Sequence, residues 1–289
     1  MIFTKKKHKG QSEAGRFLYQ LSRNKMAMVG LVILILEIIV AILAPYIAPY
    51  GYQEIDSTAL RQGPSKAHIF GTDEIGRDIF SRVIVGARYS LSMGIIATTI
   101  SSVIGICIGA IAGFAGGKVD NIIMRILDVI QSLPGMLLVI VLSAVLGSGY
   151  FNTILALSVG GIPGAARMLR ANMLKQRQAE YIEAAYSINC SPARIIFKHL
   201  VPNSISANIV SFTMGISGTI TQAASLSFIG LGIQPPIPDW GAMLSSARAY
   251  IRKSPHMVIF PGLAIAITVL AVNMLGDGVR DAMDPKLKK

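Results

Sequence analysis

The run Ala179-Glu180-Tyr181-Ile182-Glu183-Ala184-Ala185-Tyr186-Ser187-Ile188-Asn189-Cys190-Ser191-Pro192-Ala193-Arg194-Ile195-Ile196-Phe197-Lys198-His199-Leu200-Val201-Pro202-Asn203 is the one long polar interval in the second half of a very apolar chain. Residues 179–188 include strong helix formers, 189–191 can leave the helical region, and Pro192 suits the first turn of a new helix. The pattern predicts helix, turn, helix. In the second helix Ile195, Ile196, His199 and Leu200 share a face, while Arg194 and Lys198 sit four apart on another. A short amphipathic element with a basic edge is suited to a membrane surface or to a partner's groove.

On both sides of this interval the chain is almost free of charge. Tyr89 to Gly117, Val129 to Ala166 and Leu200 to Pro238 carry none, and Ser254 to Gly276 carries only His256. Crossing a bilayer takes about 20 predominantly apolar residues. With the second run divided, and 27–48 added, six spans are expected. Composition agrees: 52% of the 289 residues are hydrophobic and 15% charged, with a mean hydropathy of +0.56, whereas soluble domains average about 25% charged. The formal charge of +12 does not imply nucleic acid, because of where it lies. With the amino terminus inside, nineteen of the 27 Lys and Arg fall on the inner side, which sets both termini and the Glu183 interval in the cytoplasm. Cys107 lies in a span and Cys190 in the polar interval, so no disulfide framework is implied.

Taken in order, residues 1–26 read as a basic cytoplasmic tail near anionic headgroups. The first span, 27–48, is too long for a typical signal-peptide core. Glu37 near its middle is costly to insert and is expected to bond to another helix. An extracytoplasmic segment, 49–88, carries helix signals at Thr72 or Asp73, an apolar stripe of Ile75, Ile79, Phe80 and Val83, and a four-apart Asp78–Arg82 pair, together read as an interfacial helix. Spans two and three follow, with Arg125 and Asp128 paired at the inner rim and a kink at Pro134-Gly135. The fourth span is brief, ending near Ala166, with Gly160, Gly161, Pro163 and Gly164 interrupting its inner half. After the polar interval the fifth span runs to about Ser227. Trp240 is placed as an interface anchor, and Pro261-Gly262 open the sixth span. The last residues, 280–289, form a second cytoplasmic tail.

Glu183-Ala184-Ala185, followed by Ile195-Ile196 and Leu200-Val201-Pro202-Asn203, resembles the EAA loop of ABC importer permeases. Asn189 stands where that family usually has Gly, and Asn is the next most tolerant residue for a left-handed turn. Gly71-Thr72-Asp73, Gly76-Arg77-Asp78, Ser81-Arg82, Gly86, Arg88 and Ser90-Leu91 are similar to the dipeptide, oligopeptide and nickel group of those permeases, as are Ser227-Phe228-Ile229-Gly230-Leu231-Gly232, Pro238-Asp239-Trp240-Gly241 and the closing residues 273–285. The resemblance covers nearly everything after the basic tail. It implies an all-α, multi-pass protein of a prokaryotic inner membrane with the type I permease fold. Its core, 89–279, has five helices and includes the cytoplasmic coupling loop 167–203.

By the same resemblance, Glu183, Ala184, Ala185, Asn189, Pro192, Arg194, Ile195, Lys198 and Pro202 form the coupling site for an ATPase. The implied partners are a second permease, two ATPases that bind ATP and Mg, an extracytoplasmic binding protein, and membrane lipid. No cofactor or metal site is expected in the chain itself. The implied cargo is a di- or oligopeptide, with nickel or a metal chelate as the alternative. A competing chemistry comes from Gly215-Ile216-Ser217-Gly218, which fits an intramembrane serine-protease pattern if His256 reaches Ser217. There is no His-Glu-x-x-His, and Gly117-Lys118 lacks the rest of a phosphate loop.

Overall fold

The computed structural model describes residues 13–283, and among them no strand forms beyond one isolated bridge between Thr72 and Asp78. The charged ends of both tails lie outside the described residues, but 13–23 does not read as a simple tail. It forms α1 (Glu13–Arg23), with Arg16 and Arg23 exposed. Asn24 breaks the backbone, caps α2 (Lys25–Ile47) through its side chain, and donates a 3.1 Å hydrogen bond to Asp281 near the chain's other end.

The long elements are α2, α3 (Ile79–Ala115), α6 (Tyr150–Gln176), α10 (Ser206–Phe228) and α12 (His256–Met283). Between α3 and α6 lie α4 (Gly117–Gln131) and α5 (Gly135–Leu146), bent by 83° across the break at 132–134. This is a sharp corner in place of the expected kink, and α5 alone, at 12 residues, is too short to cross a bilayer. By length and apolarity α2, α3 and α12 meet the requirement for spans, or four do if the bent pair counts as one, against the six read from the sequence. The difference arises partly at α6 and α10, long enough at 27 and 23 residues but rich in Gly, Ser and Thr.

Those small residues bring backbones together. A Cβ added at Gly109 of α3 would lie 2.4 Å from the Ala166 carbonyl of α6, and one at Gly161 would strike the Ser101 side chain. Close packing of this kind substitutes in lipid for the hydrophobic effect. It also explains why the fourth span is not interrupted as expected. Pro163 lies inside a continuous α6 that runs ten residues past Ala166 to Gln176, its lost hydrogen bond tolerated within a tightly packed helix. The interval read as a loop from 167 is therefore helical for its first turns.

At the end of the bundle where α3 begins, 49–78 folds into a cap. The expected interfacial helix is absent: Asp78 is the N-cap, accepting from Ser81 N–H, and helix starts only at Ile79. Asp73 accepts from the backbone of Ile75 and Arg77 and from Arg77 Nε at 2.6 Å, which folds 73–77 into a turn. Arg82 faces Asp73 at 3.5 Å, while Asp78 pairs with His68 at 3.0 Å, so the four-apart Asp78–Arg82 pair does not form. Gly76, at φ +90, sits where a Cβ would lie 2.0 Å from the Asp56 carbonyl; only glycine fits. Trp240, the first residue of α11 (Trp240–Ala247), is 2% exposed and donates from Nε1 to the Val83 carbonyl at 3.0 Å. It is a core residue, clustered with Ile79, Ala87 and Leu91 of α3 and Met257 of α12, and not an interface anchor. Ser90 donates to Asp239 at 2.8 Å, and burial pushes that carboxyl above the usual carboxylate range against the pull of the Ser90 bond.

Candidate functional site

At the opposite end, α6 hands the chain to α7 (Glu180–Ser187). Ile182 and Ala185, three apart, turn inward, and Glu183 and Ala184 turn outward. The helix ends in a Schellman motif: the Asn189 N–H donates to the Tyr186 carbonyl at 2.9 Å and the Cys190 N–H to Ala185 at 3.1 Å. Such a motif places its C′ residue in the left-handed region, and Asn189 stands there at φ +55. The tolerance read from the sequence is used in the fold.

Ser191 then caps α8 (Pro192–Arg194), with Pro192 in its first turn. Helix continues as a π segment, Ile195–Leu200, and α9 (Val201–Ser204). The wider turn has a local cause: Pro202 offers no N–H to the Lys198 carbonyl and its ring presses on it. Asn203 donates instead to the His199 carbonyl at 2.7 Å. Ile195 and Leu200 are fully buried, while Arg194, Lys198 and Pro202 are exposed. The helix-turn-helix is as the pattern predicts, and of the four residues expected on one face Ile195 and Leu200 are buried while Ile196 and His199 are half-buried.

Beneath it lies a core of Ile182, Ala185, Ile195 and Leu200 packed on Leu169 and Met173 of α6 and Ala110 of α3. Over it lies an outward face that sequence reasoning missed. Phe197 and Ile188 are each 75% exposed, Tyr186 47% and Tyr181 39%. Phe197 sits between Ile196 and Lys198, where its position opposite the buried Ile195 and Leu200 was the available signal. Glu183, Arg194 and Lys198 lie on exposed positions among these apolar side chains.

Three further arrangements bear on the sequence reading. Asp128 meets Arg167 of α6 at 2.6 Å, with Arg125 more distant at 3.8 Å. Glu37 accepts from Thr268 of α12 at 3.0 Å, an interhelical bond as expected. Ser217 donates to Asn273 of α12 at 2.6 Å, and His256 lies seventeen residues earlier on that same helix, about 25 Å at 1.5 Å per residue. His256 instead approaches the Thr72 carbonyl at 3.3 Å. The protease pairing does not form. Both cysteines are free, and among the described residues no group of three or more His, Cys, Asp or Glu is placed to hold a metal.

An all-helical, multi-pass membrane protein with one apolar, partly charged face left open at one end is the class these features define. Comparison with known proteins narrows it. Residues 105–289 match the model for the binding-protein-dependent transport system inner membrane component, and 12–64 match the N-terminal TM domain of oligopeptide transport permease C. The chain belongs to this family of ABC importer permeases, and is a transport subunit of the inner membrane rather than an enzyme. It is 50% identical over 273 residues to the glutathione transport system permease protein GsiD of Escherichia coli O6:K15:H31 (strain 536 / UPEC), covering 94% of this chain and 90% of that one. The corresponding protein of Pectobacterium atrosepticum is 47% identical over 267 residues, covering 92% and 89%. Among solved structures, the inward-facing MetNI methionine ABC transporter aligns at a TM-score of 0.60 and 20% identity, over 71% of this chain and 97% of that chain, a likeness of fold.

Proposed function

We propose that this permease forms half of an import pathway for di- or oligopeptides, and that α7 to α9 are the element through which an ATPase drives it. The observation that carries the reading is the two-sidedness of that element: an inward face locked onto α6 and an outward face of Glu183, Tyr186, Ile188 and Phe197 left exposed. Glu183 supplies the ionic anchor to a basic residue of the ATPase, and the exposed aromatic and aliphatic side chains supply the apolar contact. Six crossings, divided into tails, first span, extracytoplasmic segment and five-helix core, are part of this reading, with both termini and α7 to α9 in the cytoplasm as the charge distribution supports. A second permease completes the pathway, two ATPases hold ATP and Mg, and a binding protein delivers cargo. Peptide cargo is supported by the glutathione permeases among the relatives, glutathione being a small peptide.

ATP-driven closure of the ATPases would then displace α7 to α9 and the helices joined to them. Moving a gate from 1:99 to 99:1 takes about 5.5 kcal/mol of differential stabilisation, which an ionic anchor and several apolar contacts can transmit. The test is affinity purification of the tagged chain in mild detergent, identification of what accompanies it, and reconstitution for uptake of labelled glutathione against competing peptides and nickel. Recovery of a second permease and active ATPases, with peptide-competed uptake, is expected. A chain that purifies without an ATPase, or uptake competed only by nickel, overturns the coupling or the cargo assignment respectively.

A further inference from the structure

The last turns of α6 are gripped on two adjoining faces. One face, Leu169 and Met173, packs against Ile182, Ile195 and Leu200 of the α7 to α9 element. From the neighbouring face Arg170 holds Asp120 of α4 through two nitrogens, Nε to Oδ1 and Nη2 to Oδ2, and Arg167 holds Asp128 at 2.6 Å and Gln131. Asp120 is 6% exposed, so its pair with Arg170 is partly shielded from water, and the forked geometry fixes direction as well as distance.

Apart from α6, helix α4 packs mainly on α3, the helix it follows, and it buries little. Asp120 and Leu127 are its only buried residues, and Ile122, Ile126 and Val129 are all more than half exposed. Beyond α4, the chain turns by 83° across residues 132–134 before α5 leans on α6 nearer that helix's start, through residues such as Val139 and Ile154. The two halves of the bent pair are therefore attached to different levels of α6, one by charge and one by packing. Pro163 of α6 lies between the two levels, and a bend of α6 at that proline changes the angle between the halves, because each half moves as a unit with the part of α6 that it grips.

We propose that Arg167 and Arg170 are positioning residues of the transport cycle: a clamp that carries displacement of α7 to α9 into α4, so that the α4–α5 angle opens and closes about 132–134. This rests on the reading that an ATPase acts on α7 to α9. The clamp is a demonstrable physical link, and substitutions along such links change coupling without touching a ligand.

The experiment uses the assembled importer. Spin labels at Ile122 and Val145, exposed on α4 and α5, report the separation of the two halves without nucleotide and after ATP-vanadate trapping. The wild type shifts between the two states, and Arg167→Gln with Arg170→Gln removes the shift. An unchanged wild-type separation, or an equal shift in the double variant, overturns the clamp. In parallel, Asp120→Arg lowers uptake about tenfold with ATP hydrolysis retained, and Asp120→Arg with Arg170→Asp recovers it to within about threefold, the range of coupling-network substitutions. A reversed pair no better than the single variant also overturns it. If Asp120→Arg fails to assemble, Arg170→Lys, which keeps the charge and loses the fork, is carried through the spin-label measurement in its place, with a reduced shift expected and a full one contradicting the clamp. A wild-type complex without ATP-dependent uptake speaks against the importer reading itself; normal wild-type uptake with silent clamp variants speaks only against the clamp.

Discussion

At one end of the bundle, 49–78 folds over the start of α3, and Asp73, Arg77, Asp78 and Arg82 are buried there. At the other, α7 to α9 hide Ile182, Ala185, Ile195 and Leu200 and leave Tyr186, Ile188 and Phe197 outside. Both regions mix charged with apolar residues over a similar length of chain. In the cap, most charges find partners within the protein: Arg77 with Asp73 and Glu74, His68 with Asp78, and Arg82 with the Tyr52 carbonyl. In the α7 to α9 element, no ion pair reaches Glu183, Arg194 or Lys198 among the described residues. The first segment spends its polar groups on its own stability, and the second leaves them beside exposed aromatics, as the proposed docking role requires.

The largest expected effect tests the cap. Asp73→Ala leaves Arg77 and Arg82 buried without their shared carboxylate and removes acceptors for two backbone N–H groups. Breaking a buried pair costs about 3–5 kcal/mol, so the variant is expected to accumulate poorly and to unfold in detergent at a markedly lower temperature. Unchanged thermal unfolding would mean that the cap is not a closed, self-satisfied unit. At the other end, Glu183→Lys is expected to do the reverse. Stability stays within about 0.5 kcal/mol, as for a typical surface substitution, while uptake falls about a hundredfold, the scale for losing one partner of a docked charge pair. Normal uptake by that variant would erase the contrast between the two ends. A smaller effect separates packing from hydrogen bonding where α11 meets α3 at this end: Trp240→Phe keeps most of the ring contact and gives up the bond to Val83, for a loss of about 1 kcal/mol, with uptake in proportion to the protein that remains folded.

How legible each region was in the sequence follows the same division. The helix-turn-helix of the α7 to α9 element was readable because its determinants are local: strong helix formers up to Ile188, an Asn at the turn, and a Pro in the first turn of the next helix. The cap was not, although its motifs were conspicuous. Whether Asp73 starts a helix or folds a turn depends on Arg77 and Arg82 closing around it, and Trp240 is buried by Val83, 157 residues away. Pro163 misled for a related reason: a proline ends a solvated helix, but packing of α6 against α3 carries the helix through it. Asp120 and Arg170 lie 50 residues apart, and neither residue signals the other in the sequence. The apolar runs made an all-helical membrane protein evident at once, whereas the 83° corner after α4 had no local mark beyond Pro134-Gly135.

The smallest effect falls at Asn189, which belongs to the scaffold of the α7 to α9 element although its side chain is exposed. Its φ of +55 lies in the left-handed region, where glycine meets no steric penalty and a residue with a Cβ loses about 1–2 kcal/mol, less for Asn. Asn189→Gly is therefore expected to raise stability by less than about 1 kcal/mol and to leave uptake unchanged, whereas Asn189→Val, β-branched, should lower both. Thermal unfolding and uptake measured on the same two variants separate backbone from side chain. If Asn189→Gly unfolds as expected but imports poorly, the Asn189 amide is part of the presented face and the boundary between scaffold and docking surface moves to include it. If it imports normally while Asn189→Val does not, the turn acts through its geometry alone, by holding Cys190 and Ala185 in the motif that sets the angle between α7 and α8, and the presented face begins at Tyr186, Ile188 and Phe197.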